Sequence, residues 1–165
     1  MIVVPPSTWQ DTPRNQTCDQ LVELRDVMPT VLNAARINVP ATCDGLNMMP
    51  LATGQQTAWR KHLQGEHCKC YAPQQANLYV VDDRYKYIWF PYTGNQLLFD
   101  LQNDPGECKN LAAHANHQQT RQAMQQQLTD ILRERGSHVL LDHEQQLRKL
   151  DTQEVWQSPN YEMHL

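Results

Sequence analysis

No apolar run in these 165 residues approaches the roughly 20 residues that a membrane-spanning helix needs. Basic residues are scarce as well: 14 Lys and Arg stand against 18 Asp and Glu, for a formal net charge of −4. A general nucleic-acid binder needs basic patches to neutralise phosphates, so nucleic acid is not the expected partner, and neither is a membrane. The opening "MIVVPPSTW" has no basic residue before its short apolar run, and a proline pair follows at once. It does not read as a secretory leader, so the expected setting is cytoplasmic, with the periplasm as the alternative. Cysteine occurs five times, at Cys18, Cys43, Cys68, Cys70 and Cys108, with no repeating spacing. An odd, irregular set argues against a disulfide framework. The "HCKC" cluster at 67–70 would supply half of a structural zinc site, but no second cysteine pair completes the usual four ligands. It reads as two thiols in a loop near a strand end. Asn15-Gln16-Thr17 is a glycosylation sequon, which acts only in a secreted eukaryotic setting.

What is present suits one domain, or one with a small appendage. Hydrophobic residues make up 40% and charged residues 19%, so a core is feasible but not rich. Glutamine fills much of the polar surface in the second half. Ile2, Val3 and Val4 form a short apolar run that reads as a buried strand. Residues 21–26, "LVELRD", alternate apolar and polar as a strand does. Asp26 then looks like an N-cap, with Pro29 tolerated in the first helical turn. The helix that follows would set Met28, Val31, Leu32 and Ala35 on one face. Residues 37–54 are punctuated by Pro40, Asp44-Gly45 and Pro50 and read as a loop.

Order is densest from 78 onward. Residues 78–81 are a predicted strand and "DDR" a turn. Tyr85, Tyr87 and Trp89 alternate with Lys86, Ile88 and Phe90, which gives a second strand, and "QLLFDL" a third. Together they predict a small antiparallel meander. "NDPGE" predicts a helix start, with Asp104 as N-cap, Pro105 at N1 and Glu107 closing a capping box. The main helix is expected over about 117–135, with Met124, Leu128, Ile131 and Leu132 as its apolar stripe and Gly136 ending it. The segment after it holds two short apolar runs and Trp156. No internal repeat is visible.

The order of these parts resembles that of the sulfatases. "LVELRDVMPTVLNAARINVPATCDGLNMMPLATG" is similar to the family's segment of strand, Asp-hydrophobic-x-Pro-Thr helix, then Pro and Asp-Gly before Pro-Leu. "WRKHLQGEH" resembles the Trp-Arg…Gly-Glu-His segment of one branch of bacterial arylsulfatases. "VVDDRYKYIWFPYTGNQLLFDLQNDPGECKNLA" resembles the closing signature, with its Tyr-Lys-Tyr strand, Leu-Phe-Asp-Leu strand and Asp-Pro-x-Glu…Asn-Leu-Ala. The resemblance is colinear over about 2–113 and concerns the C-terminal part of that family, within the alkaline phosphatase superfamily.

The resemblance implies an α/β enzyme whose C-terminal part, taken alone, is α+β. That part would hold remnants of the large mixed sheet and a small antiparallel sheet packed on a long helix. It implies three segments: 1–57 from the central domain, 58–136 as the C-terminal subdomain, and 137–165 as an extension. It also implies a sulfuric-ester hydrolase that uses calcium and a formylglycine made within Cys/Ser-x-Pro-x-Arg. None of the five cysteines has proline two places on and arginine four places on, and Ser7, Ser137 and Ser158 fail the same test. A hard cation needs several converging oxygens, and Asp82-Asp83 reads as a solvated turn. The chain is therefore expected to start beyond the catalytic residues, with no catalytic residue, metal ligand or cofactor of its own. By the same resemblance, the Gly-Glu-His segment approaches the mouth of the active site, which makes Glu66 and His67 the candidate substrate-binding residues; His67 would meet the organic part of a sulfate ester, the alternative being a histidine that orders its loop by bonding to backbone. The other histidines, His62, His114, His117, His138, His143 and His164, are read as surface residues. Strands stripped of their sheet neighbours tend to pair with another chain, so a homo-oligomer through an exposed sheet edge is expected. The alternatives are a non-catalytic binding module, an inactive remnant, or part of a related phosphoesterase or phosphonate hydrolase.

Overall fold

Alternation of apolar and polar residues builds four strands, β1 (Leu63–His67), β2 (Asn77–Val81), β3 (Tyr85–Trp89) and β4 (Gln96–Asp100). They lie in the order β1-β2-β3-β4 in one sheet. This computed structural model describes residues 2–4, 12–55, 58–68 and 72–156. Pro5, Pro6, Ser7, Cys70 and everything from 157 on, including Ser158 and His164, lie outside the described residues. The chain divides into two compact units, 1–63 and 64–165.

In the second unit β2, β3 and β4 pair antiparallel, with Val80 opposite Tyr87 and Tyr87 opposite Leu98. Side chains two apart share a face, so Leu78, Val80, Tyr87, Trp89 and Leu98 turn to one side, and all are buried. Helix α3 (Gln118–Glu134) buries Met124, Leu128, Thr129 and Leu132 in the same core. Thr129 is tolerated there because its hydroxyl donates to the Gln125 carbonyl at 2.9 Å, one turn back. The helix ends as predicted at Gly136, whose φ is +74°. The Gly136 amide donates to the Arg133 carbonyl (3.1 Å) and the Ser137 amide to that of Leu132 (2.9 Å), a Schellman ending. The predicted meander and helix are thus present, with β1 as an additional strand ahead of them.

One expectation for this half is corrected. Residues 104–107 start no helix, and helical turns resume only at Ala115. Glu107 sits at φ +53°, and its carboxylate lies 2.8 Å from Lys86 Nζ on β3 instead of reaching back to Asp104. Asp104 in turn accepts the Cys108 and Lys109 amides at 3.1 and 2.8 Å. An ion pair from this loop to β3 and a tight turn thus displace the capping box. The apolar runs and Trp156 after 136 join the core. Leu140, Leu141, Leu150 and Trp156 are buried in the core of the second unit. The Leu150 amide donates to the Pro91 carbonyl at 2.9 Å, and the Tyr92 hydroxyl donates to the Glu154 carbonyl at 3.0 Å.

The first unit differs more. The expected strands at 2–4 and 21–26 are not formed: 2–4 and 21–23 are irregular, and Leu24–Asp26 is a 3-10 turn. A strand needs a neighbour for its amides and carbonyls, and among the described residues of this unit none is offered before β1. Helix α1 (Val27–Ala34) forms where expected, but its expected apolar stripe is not its buried face. Met28 and Val31 are exposed, while Pro29 and Thr30 are buried. A short helix, α2 (Met49–Ala52), interrupts the expected loop.

Asp26 holds this unit together. Its side chain is wholly buried and makes none of the N-cap bonds expected of it to α1. It accepts the Glu23 amide at 2.9 Å and the Leu46 amide at 2.7 Å. Both its oxygens face Arg60, at 2.5 and 2.6 Å. Thr30 adds a second tie, donating to the Asp26 carbonyl at 2.6 Å and accepting the Met48 amide at 2.9 Å. The loop can lie this close because residue 45 is glycine: a Cβ there would stand 1.9 Å from the Arg25 carbonyl oxygen.

Candidate functional site

The Gly-Glu-His segment lies on β1, and each residue has a distinct environment. Gly65 passes beneath the ring of Tyr79, where a Cβ would come within 2.2 Å of the phenol. A side chain at 65 would displace that ring, which is the physical reason for glycine here. Glu66 places Oε2 2.6 Å from Arg135 Nη2, and Gln64 accepts from Arg135 Nη1 at 2.7 Å. Arg135 also donates to the Ser137 hydroxyl at 3.0 Å. The C-terminal turn of α3 thereby fixes β1. His67, at the end of the strand, is exposed. Glu66 and His67 are neighbours on a strand, so their side chains leave opposite faces. Of the other histidines, His114, His138 and His143 are exposed, and His62 and His117 are half-buried. Asp82 accepts the amides of Arg84 and Tyr85 at 2.8 and 2.5 Å, which is the work of a turn residue.

Charges elsewhere are mostly paired. Arg60 meets Asp26, Arg84 meets Asp100, Lys86 meets Glu107 and Arg148 meets Glu154. The titration shifts follow from these pairs. Burial works to raise the Asp26 carboxyl, but the Arg60 hydrogen bonds and the Leu46 and Glu23 amides outweigh it and hold it below its ordinary 3.8. Arg84, assisted by Asn103, holds the Asp100 carboxyl well below the usual carboxylate range. Burial pushes the Tyr87 phenol above its ordinary value, with Arg121 opposing.

The residues present do not fit calcium or a formylglycine. Among the described residues no three His, Cys, Asp or Glu side chains group as a metal ion requires, and the sequence holds no Cys/Ser-x-Pro-x-Arg. Also among the described residues, no helix is long and apolar enough to cross a membrane. Sequence reasoning missed the Asp26–Arg60 pair. Its only signal was the Trp-Arg dipeptide, where the Trp59 indole donates to the Leu21 carbonyl at 2.7 Å beside Arg60.

The family model described as N-sulphoglucosamine sulphohydrolase, C-terminal, matches residues 1–134. Over 98 residues the chain is 36% identical to an arylsulfatase of Clostridium perfringens, a match covering 59% of this chain and 20% of that protein. It is 32% identical over 125 residues to the multifunctional alkaline phosphatase superfamily protein PehA of Trinickia caryophylli, covering 65% of this chain and 24% of that one. Among solved structures, a 2-O GAG sulfatase superposes with a TM-score of 0.63 at 26% identity, over 69% of this chain and 25% of the other. The chain thus spans about a fifth to a quarter of the length of these relatives.

Proposed function

Because the chain belongs to the N-sulphoglucosamine sulphohydrolase C-terminal family, we propose that it serves as the C-terminal segment of a sulfuric-ester hydrolase, supporting the fold and the rim of the substrate pocket. The observation that carries this reading is the family match over 1–134 in a chain with no nucleophile motif. In this reading calcium and a formylglycine belong to other parts of the enzyme, and the substrate is a sulfate ester. Glu66, anchored by Arg135, sets the end of β1, and the exposed imidazole of His67 meets the organic part of the ester. The test is a chimera in which this chain replaces the matched fifth of the Clostridium perfringens arylsulfatase. There His67→Ala should lower kcat/KM by up to roughly tenfold, the loss of about one hydrogen bond. Its stability should change by less than about 0.5 kcal/mol, as for most surface changes. Unchanged kinetics with a lowered melting temperature would make His67 a loop-ordering residue instead.

A second reading concerns the chain on its own. The first unit exposes Ile2 (90%), Leu24 (86%), Val31 (59%), Ile37 (56%) and Met28 (55%). Apolar surface gathered in one part of a chain marks an interaction face. In the intact enzyme that face would seat other parts of the polypeptide. In isolation it would pair with a second copy, most simply as a two-fold dimer, through side chains rather than the expected sheet edge. Light scattering at micromolar concentration should give about twice the 19.2 kDa chain mass, and Leu24→Ser with Val31→Ser should return it to the monomer value. A monomer before any substitution would end this second reading.

A further inference from the structure

The second unit contains a cleft of about 460 Å³ between the turn before β4, the loop at 110–115 and the first turns of α3. That size falls within the range of small-molecule sites, roughly 300–1,000 Å³. Its polar walls are Asn95, Gln96, Asn110, His114, Gln118 and Arg121, and no carboxylate lines it. Arg121 Nη1 donates to Gln96 Oε1 at 2.7 Å and Gln125 Oε1 at 3.3 Å. Both acceptors are neutral amides, whereas Arg60, Arg84, Arg135 and Arg148 each meet a carboxylate. Among the described residues the half-buried guanidinium is therefore hydrogen-bonded to neutral groups and to no carboxylate, and an anion would offset its desolvation. Asn110 uses its carbonyl oxygen inward, accepting the Leu98 and Ala112 amides at 3.0 Å each. The donor half of its amide makes only a 3.5 Å approach to the Gln96 carbonyl, so it remains available for a ligand oxygen.

We propose that this cleft binds a small oxyanion ester of a sugar, with Arg121 on the sulfate or phosphate oxygens and the amides of Asn110 and Gln118 on ring hydroxyls. The site binds; it has no group placed for hydrolysis. It stands apart from the rim residues Glu66 and His67 and does not depend on their role. Saturation-transfer NMR on the full 165-residue chain, at fixed ionic strength, tests it with glucose 6-sulfate, glucose 6-phosphate and glucose. At least one ester should bind roughly tenfold more tightly than glucose, as expected for one charge-assisted pair, and comparison of the two esters identifies the preferred oxyanion. Sodium sulfate should displace the ester, and sodium chloride at equal ionic strength should not. Arg121→Gln should weaken the ester roughly tenfold, while Arg121→Lys, which keeps the charge but loses the planar fork held by Gln96 and Gln125, should weaken it less than Arg121→Gln does, with circular dichroism confirming that both fold. Equal binding of glucose and both esters, displacement by chloride as readily as by sulfate, or full ester affinity in a folded Arg121→Gln chain would each overturn the proposal. The ligand comparison needs no variant, so it decides even if a substitution unfolds the chain.

Discussion

Asp26→Ala should destabilise the first unit by about 3 kcal/mol, the low end of the range for breaking a buried ion pair from one side. The substitution leaves the Arg60 guanidinium, whose side chain is 14% exposed, without its partner. It also removes the acceptor of the Glu23 and Leu46 amides, which are only part-buried, so water makes up part of that loss. Hydrogen exchange at Leu46 and Met48 should accelerate together, because the same cluster holds both amides. The pH dependence has a defined sign. A carboxyl held below its unfolded value stabilises the folded state above that value, and the stabilisation is lost as pH falls through the folded one. The first unit should therefore hold its stability at neutral pH and weaken as pH falls below about 4. Asp26→Asn, which keeps an oxygen but not the charge, should lose this acid step. An acid profile identical in the wild type and Asp26→Asn would show that the pair does not govern it.

Trp156→Ala should lower the stability of the second unit by about 3 kcal/mol, the low end for a buried aromatic truncation. The indole is 1% exposed and packs in the same core as Tyr92, Leu128 and Leu150. Among the described residues its Nε1 has no hydrogen-bond partner, which offsets part of the burial gain and argues for the lower figure. Trp156→Phe, which removes that orphan donor and keeps most of the ring, should cost about 1 kcal/mol or less. Denaturant midpoints on both variants check this pair. A Trp156→Ala chain as stable as the wild type would mean that 137–156 is an appendage with no part in the core.

Where the sequence was legible and where it was not follows from the range of the interactions. The alternation through Tyr85, Tyr87 and Trp89 and the 3.6-residue stripe of α3 are local patterns, and they survive because each buries its own apolar face. Gly136 was legible for the same reason, since its positive φ is a local requirement. Residues 104–107 carry a good local helix signal that loses to a distant partner, Lys86 on β3. The first unit is the clearest failure. Its alternating residues at 21–24 are strand-like, but a strand is a relation between segments. Arg60, 34 residues from Asp26 in sequence, commits that region to a hydrogen-bonded loop instead. The Gly-Glu-His motif was visible as a resemblance, yet the partner of Glu66, Arg135, lies 69 residues away and no spacing rule reaches it. The cleft around Arg121 left no sequence trace because its walls come from three separate segments of ordinary polar composition.

In the function proposed above, this chain carries scaffold and rim but not the reaction. The most direct measurement is hydrolysis of an aryl sulfate by the purified 165-residue chain with calcium added. The account predicts only the background rate, unchanged by His67→Ala or Arg121→Gln. Turnover above background that disappears on substituting a residue of this chain would contradict it.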